Sequence, residues 1–387
     1  TRPRTPLGIG CARLEILVII FCTQSLCTMD IHRLRQHYQG KRVFLTGHTG
    51  FKGAWLLVLL HELGATVTGY ALEATAPSLY RDLDGDALCT SIIGDVLDAA
   101  HLRQALLAAQ PDLVVHMAAQ PLVLDGYAQP VYTFGVNAMG TAHLLEAVRA
   151  LPGPCQVINI TTDKVYDNRE WVYPYRESDA LGGYDPYSAS KACAELVSAA
   201  FRSSFFHPSD YDRHQTSLAT VRAGNVIGGG DWASHRLVPD IARAIHAGQK
   251  VTLRHPQAVR PWQHVLEALY GYLILGVKLA EAPERYSSAY NFGPLWDEAV
   301  TVEYLVQQAI AAWGRGGYVV DAPAEAPHEA TLLRLDCSKA VQELAWRPRW
   351  NAAEAIQQTI TWYRRVLDGG EAASAVTRDQ IAAYWRS

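Results

Sequence analysis

The chain has 387 residues, is 49% apolar and 19% charged, and carries a formal net charge of −4. Such a chain buries a large core, and its charge excludes a strongly basic nucleic-acid binder or a protein drawn to anionic membranes. Its 7 cysteines form no C-x-x-C pair, so neither a zinc site nor a disulfide framework is indicated and a reduced, cytoplasmic setting is expected.

Residues 1–39 stand apart from the rest of the chain. Leu14–Cys22 is apolar except for Glu15, but it is far shorter than the roughly 20 residues a membrane helix needs. Arg2, Arg4 and Arg13 precede it, yet Glu15 interrupts the run and no A-x-A site comes after it, against a signal peptide. Met29 reads as the natural start, residues 1–28 as an upstream extension, and 1–39 as lying outside the core.

From Lys41 the order is regular. Arg42–Thr46 predicts a strand that enters Gly47-His48-Thr49-Gly50-Phe51-Lys52-Gly53 and then a helix from Ala54 to Leu63. Strand, glycine turn and helix form the phosphate-binding opening of a doubly wound sheet, although the spacing is G-x-x-G-x-x-G rather than G-x-G-x-x-G. Ala65–Leu72 predicts the second strand. Glu73 comes next, and no Arg or Lys occurs before Arg81 to meet a 2′-phosphate, so NAD is expected over NADP.

Ser91–Val96 predicts a third strand whose Asp95 and Val96 border the adenine. Asp112–Met117 is the fourth, and the small residues of Ala118-Ala119-Gln120 let a cofactor pass over its tip. A helix carrying Asn137, Gly140 and Thr141 comes next, then a strand at Gln156–Ile160 with Thr161-Thr162-Asp163-Lys164 at its carboxyl end, where open α/β sheets bind ligands. Apolar strands alternating with helices predict an α/β fold with a doubly wound parallel sheet, covered on both faces.

Tyr187-Ser188-Ala189-Ser190-Lys191 opens the next helix. Residues four apart share a helix face, so the Lys191 ammonium is expected beside the Tyr187 phenol, favouring the phenolate for proton abstraction near neutral pH. Beyond a strand at Ser217–Gly224, a smaller C-terminal substrate-binding lobe is expected over 225–263 and 295–387. The chain is expected to rejoin the 40–224 NAD-binding domain over about 264–294. Asn225, Arg236, Arg260 and His264 are the candidate substrate contacts, the arginines because their forks match phosphate oxygens. Arg222 reads as structural.

TGHTGFKG, HMAAQPLV, TTDKVY, YDPYSASK, VRAGNVIGGGDWA and RPWQHV, in this order, resemble the extended short-chain dehydrogenase/reductases. Within them they resemble the nucleotide-sugar 4,6-dehydratases of the CDP-glucose type. The resemblance covers roughly residues 30–365, and its narrow part rests on Thr162-Asp163-Lys164, Gly228–Trp232 and Arg260–His264. It implies NAD, a CDP-glucose substrate, a homodimer built on the helices at Asn137 and Lys191, no metal, and a link to bacterial surface deoxysugars. Gly47 to Gly53, Asp95, Val96, Ala118, Ala119, Gln120, Asn137, Thr161, Tyr187 and Lys191 would hold the cofactor. Gln120 and Thr162 would also meet the sugar.

The implied reaction oxidises C4, removes water across C5–C6 and returns hydride to C6. Tyr187 would take the C4 hydroxyl proton with Thr162 assisting, Asp163 would be the acid and Lys164 the base. Lys164 would need burial to become neutral, and Asp163 a dry pocket to keep a proton. One departure is Leu124-Asp125-Gly126-Tyr127, where relatives carry basic residues and Ser-Tyr beside the sugar. The competing readings are a nucleotide-sugar 4-epimerase, a dehydratase of another nucleotide hexose, and a non-catalytic NAD-sensing protein.

Overall fold

A computed structural model describes residues 29–387 except 235, 296–299 and 322–331. The upstream segment 1–28 and nearly all of the Pro- and Ala-rich stretch Asp321–His328 lie outside the described residues.

The central element is a sheet of seven parallel strands. They are β1 (Arg42–Thr46), β2 (Thr66–Ala71), β3 (Thr90–Ile93), β4 (Leu113–His116), β5 (Cys155–Ile160), β6 (Thr216–Ala223) and β7 (Ala289–Phe292), in spatial order β7-β6-β5-β4-β1-β2-β3. The order reverses between β1 and β4, and ligands of such sheets bind at the carboxyl side of that crevice. Strand side chains alternate between faces, so Phe44, Val114, Val157 and Leu218 enter one core while Val43, Leu45, Val115 and Ile158 enter the other. Burial on both faces explains the near-continuous apolar strand sequences.

Two groups of helices cover the faces. α1 (Ala99–Ala109) and α2 (Gly140–Val148) pack with the first core. α3 (Phe51–Glu62) and α4 (Val265–Glu281) pack with the second, into which the closing helices Ala352–Leu367 and Ala373–Arg386 also send Trp362, Tyr363 and Tyr384. The final helix is therefore integral. No helix among the described residues is long and apolar enough to cross a membrane.

One boundary needs correction. Residues 29–39 belong to the core: Ile31–Tyr38 is a helix that buries Leu34 and Tyr38, and the Tyr38 hydroxyl donates to the Leu273 carbonyl at 2.8 Å. Its polar remainder hides the amphipathic pattern, because Leu34 and Tyr38 are one helical turn apart on a single face.

Among the described residues three two-stranded pairs lie outside the central sheet, including Val226–Ile227 with Gln263–His264 and Val259–Arg260 with Val300–Thr301. The first pair brings the Gln263 N–H to the Asn225 carbonyl at 3.1 Å, and Pro261, next to Arg260, packs against Gly224 just past β6.

Candidate active site

The glycine turn is shaped by close backbone approach. Gly47 has φ +74°, and a Cβ there would stand 2.7 Å from the Ala118 nitrogen; a Cβ on Gly53 would stand 2.1 Å from the Gly47 carbonyl oxygen. Gly50 caps α3 without any side-chain hydrogen bond, so the helix start faces the crevice as backbone. That cradle fits a dinucleotide pyrophosphate. The flanking side chains mostly support it: His48 is buried, its Nε2 lies 2.8 Å from Ser91 Oγ, and its ring meets Tyr80 edge-on. Thr49 donates to the Leu72 carbonyl. Asp95 receives the Leu97 N–H through Oδ1, and Val96 is buried beside Gly140.

Ala118 and Ala119 leave β4 through a network built on Asn137. Its Oδ1 accepts from the Gln120 N–H at 3.0 Å, while its Nδ2 donates to the Gln120 carbonyl and, at 2.8 Å, to Ser190 Oγ. Ser190 in turn donates to the Tyr187 carbonyl. The exit of β4 is thus tied to the helix α5 (Pro186–Ser204), whose Asp185 cap accepts from both the N–H and the hydroxyl of Ser188.

On α5, Tyr187, Lys191 and Glu195 recur every four residues on the face toward the β5 and β6 ends. Lys191 Nζ donates to the Ile160 carbonyl at 3.0 Å. Glu195 pairs with Arg222 at 2.9 Å, both buried, and accepts from Thr161 and Thr220 hydroxyls. These contacts hold Glu195 below the usual carboxylate range despite burial. Thr161, expected at the cofactor, spends its hydroxyl on this network. Glu195 was missed from sequence, although its spacing from Lys191 signalled it; Arg222 is structural as expected.

The tuning of Tyr187 differs from the expectation. Burial pushes the phenol up to about 12, with the Thr162 hydroxyl and Arg236 opposing it, and Lys191 is not among its main influences. The Lys191 ammonium is held by a backbone carbonyl, and burial lowers it to about 8 despite Glu195.

Thr162-Asp163-Lys164 forms a turn at the end of β5, in the same cleft as Tyr187. Thr162 Oγ1 donates to Asp163 Oδ1 at 3.0 Å, and Lys164 Nζ lies 3.9 Å from that oxygen. Asp163 is buried, with Oδ2 lacking any hydrogen-bond partner in the structure. The Lys164 side chain keeps 35% of its surface exposed, so the burial foreseen for this amine is absent. Gly126 of the divergent loop backs onto the Tyr187 backbone, where an added Cβ would meet the amide nitrogen at 3.1 Å.

Around the cleft, Arg236 pairs with Asp231 at 2.9 Å yet still acts on Tyr187. Arg260 is buried and donates to the Val259 carbonyl, and Asn225 is partly exposed. Gln120 is buried and donates to Thr133. His264 needs correction: it caps α4 and lies edge-on to Trp55 and Trp350, wholly buried, with its imidazole pushed down to about 3. Its pairing with Ile227 turns the ring into the core, away from the cleft. Arg81 reaches back to 3.4 Å from Glu73, a contact that counting along the chain could not reveal.

Glycine cradle, parallel sheet and a Tyr-x-x-x-Lys pair at the sheet's carboxyl edge define an extended short-chain dehydrogenase/reductase. Residues 44–359 match the GDP-mannose 4,6 dehydratase family. The chain is 50% identical over 337 residues to the CDP-glucose 4,6-dehydratase of Salmonella typhimurium, covering 87% of this chain and 94% of that one. The dTDP-glucose 4,6-dehydratase DesIV of Streptomyces venezuelae, solved with NAD bound, superposes with a TM-score of 0.70 at 25% identity, over 84% of this chain and 97% of that one. UDP-glucose 4-epimerase of Thermotoga maritima shares the fold at 20% identity, with a TM-score of 0.72 over 84% of this chain and 99% of its own. The chain belongs to the GDP-mannose 4,6-dehydratase family.

Proposed function

We propose that the chain is an NAD-dependent CDP-glucose 4,6-dehydratase, converting CDP-D-glucose to CDP-4-dehydro-6-deoxy-D-glucose. The observation that carries this reading is the Thr162-Asp163-Lys164 turn sharing a cleft with Tyr187, in a chain half identical to an enzyme of that name along nearly its whole length.

The Gly47–Gly53 cradle would hold NAD, which would supply a hydride acceptor for C4 and the hydride donor for C6 of the hexose. The protein's share is proton transfer and orientation. Tyr187 takes the proton of the C4 hydroxyl, assisted by the Thr162 hydroxyl and the Arg236 charge, while Lys191 keeps its seat on the Ile160 carbonyl one helical turn away. The resulting 4-keto group acidifies C5. Lys164, whose exposed third the bound sugar would cover, removes the C5 proton, that electron pair becomes the C5=C6 bond, and the C6–O bond breaks as Asp163 protonates the oxygen to water. Asn137 and Ser190 fix the helix turn that carries Tyr187. Arg236 and Arg260 clamp the diphosphate, with Asn225 and Gln120 beside the sugar.

A cytoplasmic homodimer belongs to the same proposal. Val131, Met139 and Leu196 are exposed on the segments around Asn137 and Lys191, an apolar surface suited to a second copy, and the described cysteines are unpaired.

Incubation with CDP-glucose and NAD, and then with alkali, tests the reading. A 4-keto-6-deoxy product gives near-ultraviolet absorbance, whereas a C4 epimer gives none. The dTDP-, UDP- and GDP-hexoses serve as the nucleotide controls, and turnover of one of them in preference to CDP-glucose would overturn the assignment.

A further inference from the structure

A further amine at this cleft is the partly buried Lys52, which the sequence placed only in the cofactor loop. It is the second residue of α3, and its Nζ stands 3.4 Å from the Tyr272 hydroxyl and 5.6 Å from that ring's centre. Among the described residues no carboxylate lies within ion-pair distance of this partly buried ammonium. Its neighbour Phe51 packs toward Gly228, where an added Cβ would stand 3.0 Å from the Phe51 ring. The start of α3 therefore faces the segment that comes after β6. Gly224, on the same segment, lies against Asp163, since a Cβ there would stand 3.3 Å from Oδ2.

Through its neighbour Phe51, Lys52 lies by the segment that carries Gly224 and Gly228. Burial pushes its ammonium down to about 7, Lys191 and Arg236 add to this, and Asp163 opposes it. The cleft thus holds an ammonium with one long contact and a carboxylate oxygen, Asp163 Oδ2, with none. A ligand hydroxyl completes both, because it accepts from one group and exchanges a proton with the other. The C4 hydroxyl already has Tyr187 and Thr162, whereas the hydroxyl served by Asp163 is the one that leaves C6.

Resting on the dehydratase reading above, we propose that Lys52 is a further catalytic residue, donating an N–H hydrogen bond to the C6 oxygen of the hexose as it departs as water. Asp163 supplies the proton, the C6–O electron pair leaves with the oxygen, and the C5–H pair forms the new double bond. Lys52 keeps its own proton, and its charge offsets the carboxylate left on Asp163. The lysine thereby distinguishes a hexose bearing a 6-hydroxyl from a 6-deoxyhexose.

The test compares NAD-loaded Tyr187→Phe protein, which binds without turnover, with the Tyr187→Phe/Lys52→Met double variant. Calorimetry measures the affinities of CDP-glucose and CDP-6-deoxyglucose for each. Tyr187→Phe is expected to favour CDP-glucose by about tenfold, as a charged hydrogen bond implies, and the double variant to bind the two sugars within about twofold. In the single Lys52→Met variant, product formation from CDP-glucose is expected to fall by about tenfold or more. Lys52→Gln, which keeps a donor and polar volume, should lie between, and it carries the same comparison if the Met variant does not fold. A preference for CDP-glucose that survives loss of Lys52 overturns the proposal. Equal weakening toward both sugars also overturns it, since that marks a phosphate contact. Failure of the wild-type protein to dehydrate CDP-glucose would instead sink the underlying functional reading, and this proposal with it.

Discussion

The two halves of the cleft are built differently. On the α5 side, Lys191, Glu195, Asn137, Ser190 and Thr161 all have protein partners, most within 3.1 Å, and they are buried before any ligand arrives. On the side of the Thr162–Lys164 turn and the α3 start, Asp163 Oδ2 has no partner, Lys52 has one long contact, and Lys164 is about one-third exposed. The half assigned to C4 oxidation is organised by the protein, while the half assigned to dehydration is left for the substrate to complete. Oxidation at C4 needs a fixed tyrosine, whereas dehydration needs groups free to engage a hydroxyl that will leave.

Breaking the organised half should have the largest effect. Tyr187→Phe should lower turnover of CDP-glucose by about 10³-fold or more with little change in melting temperature, because the ring stays and only the proton carrier is lost. Asp163→Asn should lower product formation by about 10²-fold or more yet still transfer hydride from C4, so reduced cofactor accumulates and shows in its absorbance. If Asp163→Asn abolishes both steps equally, the division between the halves is wrong.

Glu195→Ala should cost about 3–5 kcal/mol in a denaturant titration, since it strands Arg222 as an unpaired buried cation. Lys52→Met should act in the opposite direction. The unfolded lysine holds its proton up to about 10.4, while the folded amine releases it near 7, so folding is penalised below about 7 and the penalty fades as pH rises toward 10. Melting of the ligand-free Met variant should therefore rise by roughly 1–2 °C at pH 7, with the gain shrinking at pH 10. Gly126→Ala, whose methyl would press the Tyr187 backbone, should reduce kcat by roughly two- to fivefold and leave stability nearly unchanged.

Much of this was legible in the chain because it is local. The glycine turn, the Tyr187–Lys191 spacing and the apolar strands each declare themselves within a few residues. What escaped depended on long-range contacts. Lys52 could be placed in a loop by its neighbours, but its position near Asp163 depends on how α3 meets the segment after β6. His264 sits in a motif whose arginine suggests a ligand, yet pairing with Val226–Ile227 turns its ring toward Trp55 and Trp350. Residues 31–38 looked dispensable because only Leu34 and Tyr38 on one face are buried. The expected lowering of Tyr187 failed for a similar reason: the sequence puts Lys191 one turn away but does not show that the ammonium donates to the Ile160 carbonyl.

The most direct test tracks hydrogen rather than rate. CDP-glucose carrying deuterium at C4 should yield a product one water lighter, with that deuterium now on C6. Deuterium retained at C4 with no loss of water, or lost entirely to solvent, would contradict a cleft in which Tyr187 and the Asp163–Lys164 pair act on one sugar in a single turnover.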